Sequence, residues 1–291
     1  MNDDTLADPG WRHRQIDVNG LSIHVVEGGT RGNPAIVFLH GWPESWAAFE
    51  QVMLAMSGEA HVVALDLPGI GGSSPAPASN DKRTLARLVH GVIAGLGLEG
   101  VALVGHDVGG QIVYAYLREY RAALRCAVIM NVAIPGVDPW DEVKRNPHIW
   151  HFAFHAVPGL PELLVAGHEA AYFAFFYEAI SAGPGAIGRR ARERHVQAYS
   201  RPEALHTGFD WYRAFPQDEK DNLAAANDPV RLPVLYLRGD HERGSLQDYL
   251  AGLRAGGLQG VEGHLIEGSG HFAPEEQPAQ VAALLQAFMS S

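Results

Sequence analysis

Val101-Ala102-Leu103-Val104-Gly105-His106-Asp107-Val108-Gly109-Gly110 is the stretch from which the rest of the chain is read. Four apolar residues of a buried strand run into a polar residue flanked by glycines, and a helical pattern follows. This is the small-x-nucleophile-x-small-small layout of a nucleophile elbow. The strand-to-helix turn is sharp, so side chains at 105, 109 or 110 would collide with neighbouring backbone, and the central residue is held with its tip clear above the sheet. Serine is common at that position; here it is Asp107. A glycine-flanked Asp ahead of a helix also reads as a simple N-cap, and its companions in the sequence decide between the two.

Three companions surround it in chain order. His40-Gly41-Trp42-Pro43 follows an apolar strand and can bring the Trp42 N–H beside that of Val108 as an oxyanion hole. Arg238-Gly239-Asp240-His241-Glu242 follows a later strand and offers an acid, either Glu242 or Asp240. Gly268-Ser269-Gly270-His271-Phe272 follows the last strand and offers a histidine at the same edge of the sheet. The order nucleophile, acid, histidine, with each member after a strand, favours the catalytic reading over the cap.

The remaining pattern supplies the scaffold. Strand-like runs occupy 15–18, 21–26, 35–39, 62–65, 101–104, 126–130, 234–237 and 264–266. The third to sixth are nearly all apolar, as strands buried on both faces of a parallel sheet are. Helical patterns over 84–96 and 110–119 alternate with them, which predicts an α/β domain with right-handed crossovers. Asn19-Gly20 between the first two strands is a hairpin signal, so the sheet opens with an antiparallel pair. Between about 138 and 227 no strand is evident. Aromatic and His-rich segments broken at Pro158, Pro161, Gly183-Pro184, Pro202 and Pro216 predict four or five short helices. The strand pattern then resumes, and a helix over 278–289 ends the chain. The expected architecture is a mostly parallel eight-stranded sheet flanked by helices, with a core of 1–136 and 229–291 interrupted by a helical insertion, 137–228.

Composition narrows the function. Of 291 residues, 47% are hydrophobic and 19% charged, enough to build a sizeable core. The 33 acidic against 22 basic side chains give a formal charge of −11, which disfavours nucleic acid and anionic membrane surfaces as partners. The single cysteine, Cys126, excludes an internal disulfide and a cysteine-based zinc cluster. An acidic start and the lack of a long apolar run lead us to expect a cytoplasmic protein. A monomer and a homodimer both fit the sequence.

On the His-Gly-Trp-Pro loop, the Gly-His-Asp-x-Gly-Gly elbow, Gly69-Ile70-Gly71-Gly72-Ser73 after the fourth strand, and the final Gly-His-Phe, the chain resembles the α/β-hydrolase superfamily along essentially its whole length. Within it the chain is similar to bacterial epoxide hydrolases, and the helical insertion then corresponds to the family's cap over the active site. The resemblance implies a cofactor-free, metal-free hydrolase acting on a small epoxide, apolar or aromatic in view of the cap. It also implies two cap side chains that hold the epoxide oxygen. Phe209-Asp210-Trp211-Tyr212-Arg213 matches the segment that carries one of them, Tyr212. Ile149-Trp150-His151-Phe152 matches the other, with His151 in place of the more common tyrosine, as in a subgroup with a His–Tyr pair. The family's Gly-x-x-acid register after Gly239 lands on Glu242 as the partner of His271, with Asp240 as the alternative, and Asn131 stands where some members of the subgroup carry that acid. His40, Phe152 and Phe272 are expected to line the substrate pocket.

An Asp nucleophile selects the reaction class. A carboxylate attacking a saturated carbon expels a leaving group and leaves an ester, which water then cleaves at the carboxyl carbon. Epoxide oxygen and halide both suit it, so a haloacid or haloalkane dehalogenase is the alternative. Fluoroacetate dehalogenases resemble this chain in the Trp-His segment, but hold their substrate with arginines one and four residues after the nucleophile. Those positions are Val108 and Gln111, and Phe152 replaces a usual Trp. Haloalkane dehalogenases carry Asn and Trp where this chain has Trp42 and Val108. A non-catalytic binding protein on the same scaffold is a third reading, one that leads us to expect a missing member of the set. His148, His151 and His155 have helical spacing but no metal motif around them. Tyr172, Phe173, Phe175, Phe176 and Tyr177 read as packing of cap on core, with Tyr177 and Tyr199 as further candidates to reach the pocket. Arg189-Arg190-Ala191-Arg192-Glu193-Arg194 reads as a solvated helix face.

Overall fold

The computed structural model describes residues 10–75 and 78–290. Its strands are β1 (Arg12–Val18), β2 (Leu21–Gly29), β3 (Ala35–Leu39), β4 (His61–Leu65), β5 (Val101–His106), β6 (Leu124–Met130), β7 (Val234–Gly239) and β8 (Val261–Ile266). They form one sheet in the order β1-β2-β4-β3-β5-β6-β7-β8. β1 pairs antiparallel with β2 and β2 antiparallel with β4, and every later pairing is parallel. The β1–β2 turn is Asn19-Gly20 with both φ positive (56° and 82°), the conformation a two-residue hairpin demands.

Helices cover both faces. Helices α1 (Glu50–Met56), α2 (Lys82–Gly95) and α3 (Val108–Glu119) lie between the early strands. The central strands sort their side chains by the period of two. In β3, Ile36 and Phe38 join a core with Val52 and Met53 of α1, while Val37 and Leu39 join the opposite core with Leu85 of α2 and Ile112 of α3. Burial on both faces is why these strands read as unbroken apolar runs. The two edge strands behave differently. β1 has the pattern eeeeBeB from Arg12, so its first four residues are exposed and polar, and in β8 only the end residues Val261 and Ile266 are buried. Both begin several residues earlier than the apolar pattern indicates.

Between β6 and β7 the chain forms α4 (Trp140–Arg145), α5 (Trp150–Ala156), α6 (Leu160–Val165), α7 (Glu169–Ala179), α8 (Arg189–Ala198), α9 (Pro202–Arg213) and α10 (Phe215–Ala225), with a 3-10 turn at 147–149. Seven helices thus replace the four or five expected. Three of them span only six or seven residues, less than two turns, which is too short to establish a 3.6-residue period. After β7 come α11 (Leu246–Ala255), α12 (Ala273–Glu276) and α13 (Pro278–Ser290).

The cap is fastened to the core by buried polar contacts as well as apolar ones. Lys82 of α2 donates from Nζ to the carboxylate of Asp218 (2.9 Å) and to the carbonyl of Trp211 (2.6 Å), and lies over the ring of Phe215. Tyr177 of α7 donates to the Pro43 carbonyl at 2.6 Å. His195 of α8 accepts the Ser45 N–H at Nδ1 and faces Glu275 of α12 with Nε2, both at 3.1 Å. Among the described residues, no helix is long and apolar enough to cross a membrane.

Candidate active site

Asp107 sits between β5 and α3 with φ +49° and ψ −120°, a conformation that non-glycine residues rarely adopt. The flanking glycines allow it. A Cβ at Gly105 would lie 2.2 Å from the Gly109 carbonyl oxygen, and one at Gly109 would lie 2.2 Å from the Leu39 carbonyl oxygen. The turn therefore packs backbone on backbone and lifts the Asp107 side chain off the sheet. Its Oδ1 accepts the Trp42 N–H at 2.8 Å, and Val108 opens the following helix, where first-turn amides have no partner inside the helix. One carboxylate oxygen thus already occupies the expected oxyanion site, and Oδ2 faces His271.

His271 Nε2 stands 3.6 Å from Asp107 Oδ2, an ion pair too long for a hydrogen bond, while Nδ1 lies 3.0 Å from Glu242 Oε1. Burial alone would make this imidazolium more acidic. The carboxylates of Asp107 and Glu242 outweigh it and hold His271 at about 10. Burial likewise opposes ionisation of Asp107, but His271, His106 and the Trp42 amide bring its carboxyl down to about 2. Glu242, not Asp240, makes the contact with His271. Asp240 instead accepts the Ser269 N–H at 3.2 Å, in the loop that carries His271 but away from its ring. Glu242 Oε2 also accepts from Asn131 Nδ2 at 2.9 Å and faces Arg238 Nε at 3.7 Å. Arg238 is held over the Tyr249 ring at 4.0 Å and donates to the Arg243 carbonyl. Against the cost of burial, His271, Arg238 and Asn131 keep Glu242 below the usual carboxylate range.

The loop bearing His271 is pinned by its own backbone. Glu276 of α12 accepts the N–H groups of Gly270 (3.0 Å), Phe272 (2.8 Å) and, from the cap, Ala182 (2.7 Å). The His271 N–H donates to the cap carbonyl of Ile180 at 2.8 Å, and its carbonyl accepts from His106 Nε2 at 2.7 Å. His106 Nδ1 in turn meets Glu44 at 2.8 Å, and the same Glu44 oxygen accepts the Gly41 N–H. Both side chains are fully buried. This pair joins the oxyanion loop, the elbow and the base loop beneath the site.

A cavity of about 510 Å³ opens over Asp107. Tyr212, His151, Phe152, Phe176, Phe215 and Phe272 line it together with Trp42 and Val108, so the two proposed cap donors share one space with the elbow. Trp42 meets the Tyr212 ring edge-on at 5.8 Å and stacks on His151 at 6.4 Å. Burial, with the Asp107 charge in support, pushes the Tyr212 phenol well above its ordinary value. Burial brings His151 down to about 4, with His271 adding to the effect and Asp107 only partly opposing it. His151 is therefore a neutral imidazole at neutral pH. It can donate one N–H, but it carries no extra proton to deliver. Exposed Glu142, His148, His241, Arg243 and Asp248 rim the same cavity and mark where it meets solvent.

The structure moves several expected residues. His40 does not line the cavity. It is fully buried, with Nδ1 against the Gly41 carbonyl (2.8 Å) and Nε2 accepting the Leu67 N–H (3.0 Å), so it braces the oxyanion loop from behind. Tyr177 and Tyr199 are buried away from the cavity wall. His155 meets the Tyr172 hydroxyl at 2.7 Å and packs against Trp42 and Tyr212, while His148 is at the rim. Arg192 and Arg194 pair with Glu178 and Glu50. The supporting set of Glu44, His106, Asn131 and Arg238 was not anticipated. Its one visible sign is charge placed where burial is expected, such as an acid in the His-Gly-Trp-Pro-Glu loop and a basic residue at the end of an apolar strand.

The family model described as alpha/beta hydrolase fold matches residues 34–278. A soluble epoxide hydrolase of Corynebacterium sp. is 30% identical over 91% of this chain and 93% of its own length. The chain belongs to the α/β-hydrolase family, in its epoxide hydrolase branch. The crystal structure of Cfl2 from Burkholderia cenocepacia matches this α/β hydrolase with a TM-score of 0.90 at 33% identity, over 96% of each chain. A fluoroacetate dehalogenase of a Burkholderia species is 28% identical over 97% of this chain and 94% of its own. The family therefore includes relatives named for both leaving groups considered above.

Proposed function

We propose that this α/β hydrolase, with residues 137–228 as its cap, opens an epoxide to a vicinal diol through an ester on Asp107. The observation that carries the reading is the shared cavity. An ionised Asp107, with one oxygen on the Trp42 amide, lies in it beneath two neutral donors, the phenol of Tyr212 and the imidazole of His151.

The proton inventory closes. Asp107 attacks an epoxide carbon and the C–O bond breaks. The developing alkoxide takes the Tyr212 proton, with the His151 N–H as a second hydrogen-bond donor. Esterified Asp107 is uncharged, so His271 loses the anion that kept it protonated, and its proton restores the Tyr212 phenol. Neutral His271, oriented by Glu242, then takes a proton from water as that water attacks the Asp107 carboxyl carbon. The ester carbonyl oxygen, already on the Trp42 amide with the Val108 N–H beside it, carries the oxyanion charge. Collapse expels the diol and returns the Asp107–His271 ion pair. No cofactor or metal enters.

The dehalogenase relative favours a second reading with the same nucleophile. Against it, Val108 and Gln111 supply no cation to pair with a substrate carboxylate, and burying that anion without one is costly. A binding protein on a disabled scaffold is disfavoured by the presence of every member of the set. The test is a turnover screen of aryl and alkyl epoxides beside fluoroacetate and haloalkanes, with Tyr212→Phe as the control. Losing one donor from a developing alkoxide in a dry site removes ~2.7–4 kcal/mol of transition-state stabilisation, so diol formation should fall about 10²–10³-fold. Defluorination by the wild-type protein with no diol from any epoxide would falsify the epoxide reading.

A further inference from the structure

The cavity over Asp107 has more room than an oxirane with a short substituent needs. At about 510 Å³ it falls in the range that holds drug-sized ligands. Its wall is aromatic from the elbow outward. Beyond the stack of Trp42 on His151, His151 meets Trp150 edge-on at 6.2 Å, and Trp150 meets Phe175 of α7 at 5.8 Å. Trp150 and Phe175 both line the cavity, yet they are 42% and 50% exposed. They therefore stand where the cavity opens to solvent. Other exposed apolar side chains of the cap, Leu163 and Leu164 of α6 among them, do not line it. Touching aromatic rings left wet at the mouth of a pocket are surface that a ligand gains by covering.

We infer that Trp150 and Phe175 are specificity-determining residues that select epoxides with an extended apolar arm, long enough to run past His151 and lie against both rings. The inference rests on the epoxide reading above and narrows its substrate class. With the oxirane between Asp107 and the Tyr212–His151 pair, the arm has a continuous ring surface to follow from His151 to solvent. A short epoxide leaves Trp150 and Phe175 wet and gains nothing from them. Ile180 also lines the cavity and is partly exposed, but its carbonyl holds the His271 amide, so its replacement risks moving the base. Trp150 and Phe175 are the residues to vary.

The probes are 1,2-epoxybutane, 1,2-epoxyhexane, 1,2-epoxyoctane and 1,2-epoxydecane, which share one reacting end and differ only in the arm. The readout is the ratio of kcat/KM for the longest to that for the shortest, in wild type, Phe175→Ala, Trp150→Ala and the control Leu163→Ala. Cooperative melting checks folding. A ratio cancels any loss at the reacting end, which matters for Trp150 beside His151. A CH2 taken fully out of water is worth about fourfold, and an arm on an open mouth gains a share of that per carbon. The wild-type ratio should exceed about tenfold and fall at least about threefold in each ring variant, while Leu163→Ala keeps it. A folded ring variant that keeps the wild-type ratio overturns the assignment of that ring. A wild-type rate that does not rise with arm length, or an equal fall in Leu163→Ala, overturns the whole inference while leaving the epoxide reading intact. Absence of turnover of every epoxide tested overturns both. Should neither ring variant fold, the wild-type series alone decides by the same criterion.

Discussion

If the proposed route holds, alkylation of Asp107 should change the acidity of His271, the residue that this route uses next. In the resting site His271 is held at about 10 between two carboxylates, so at neutral pH it is an acid and cannot be a base. The ester removes one of those charges, 3.6 Å from Nε2. At an effective dielectric of about 20, that pair is worth roughly 4–5 kcal/mol, or about three pH units. The groups left near His271 are Glu242 on one side and Arg238 and His106 behind it, with neutral His151 across the cavity, so nothing replaces the lost anion. His271 is thereby brought into the neutral range only after the ester has formed. Single-turnover stopped-flow on tryptophan fluorescence, with quenched samples analysed by mass for the ester, separates the two steps between about pH 5 and pH 10. Ester formation should be flat across that range, because Asp107, held at about 2, is ionised throughout. Ester hydrolysis needs neutral His271, so it should rise with pH and level off near neutrality. A hydrolysis rate still climbing at about pH 10 would mean that the ester does not release the base. An ester-forming step with a limb near neutrality would mean that His271 already titrates there in the free enzyme. Either result refutes the reasoning.

His271→Gln should accumulate the alkyl-enzyme, visible as an intact-mass increase equal to the substrate, and a wild-type single turnover in heavy-oxygen water should label Asp107. A labelled product with unlabelled Asp107 would instead indicate direct attack by water. Glu242→Gln should slow ester hydrolysis at least tenfold more than Asp240→Asn in the same quench assay, since Asp240 meets a backbone amide at Ser269 rather than the His271 ring and the neutral amide at 242 cannot stabilise the imidazolium. Asp218→Ala leaves Lys82 charged and buried between cap and core. It should lower unfolding free energy by about 3–5 kcal/mol in a urea titration, and a loss below about 1 kcal/mol would show that the contact does not fasten the cap.

The parts legible in the sequence are those whose pattern has a local cause. The doubly buried strands β3 to β6 show as apolar runs, the elbow shows in its glycines, and the Asn19-Gly20 hairpin shows in its turn residues. Asp107, His271 and the Trp42 loop follow strand ends, so topology brings them to one edge, and Glu242 meets His271 from the register of its loop. What was hidden depends on three-dimensional pairing. His40 precedes the oxyanion loop and reads as a site residue, but its ring turns inward to backbone groups of 41 and 67. Glu44, His106 and Arg238 are ordinary charged letters until distant segments bury them against one another. The neutrality of His151 is likewise a matter of burial and of His271 nearby, and its residue type alone suggests a proton carrier.

The Glu276 carboxylate staples the cap at Ala182 to both sides of His271, and the Ile180 carbonyl grips the His271 amide itself. A cap that swung away as a rigid lid along this edge would have to break charge-assisted bonds worth roughly 1.5–3 kcal/mol each, and it would drag the base out of line as it went. Substrate and diol therefore have a less disruptive passage where the cavity meets solvent, among the exposed side chains of Glu142, His148, His241, Arg243 and Asp248. Traffic through that polar doorway leaves the staple closed. The enzyme can then exchange product for substrate without dismantling and rebuilding its catalytic alignment at each turnover.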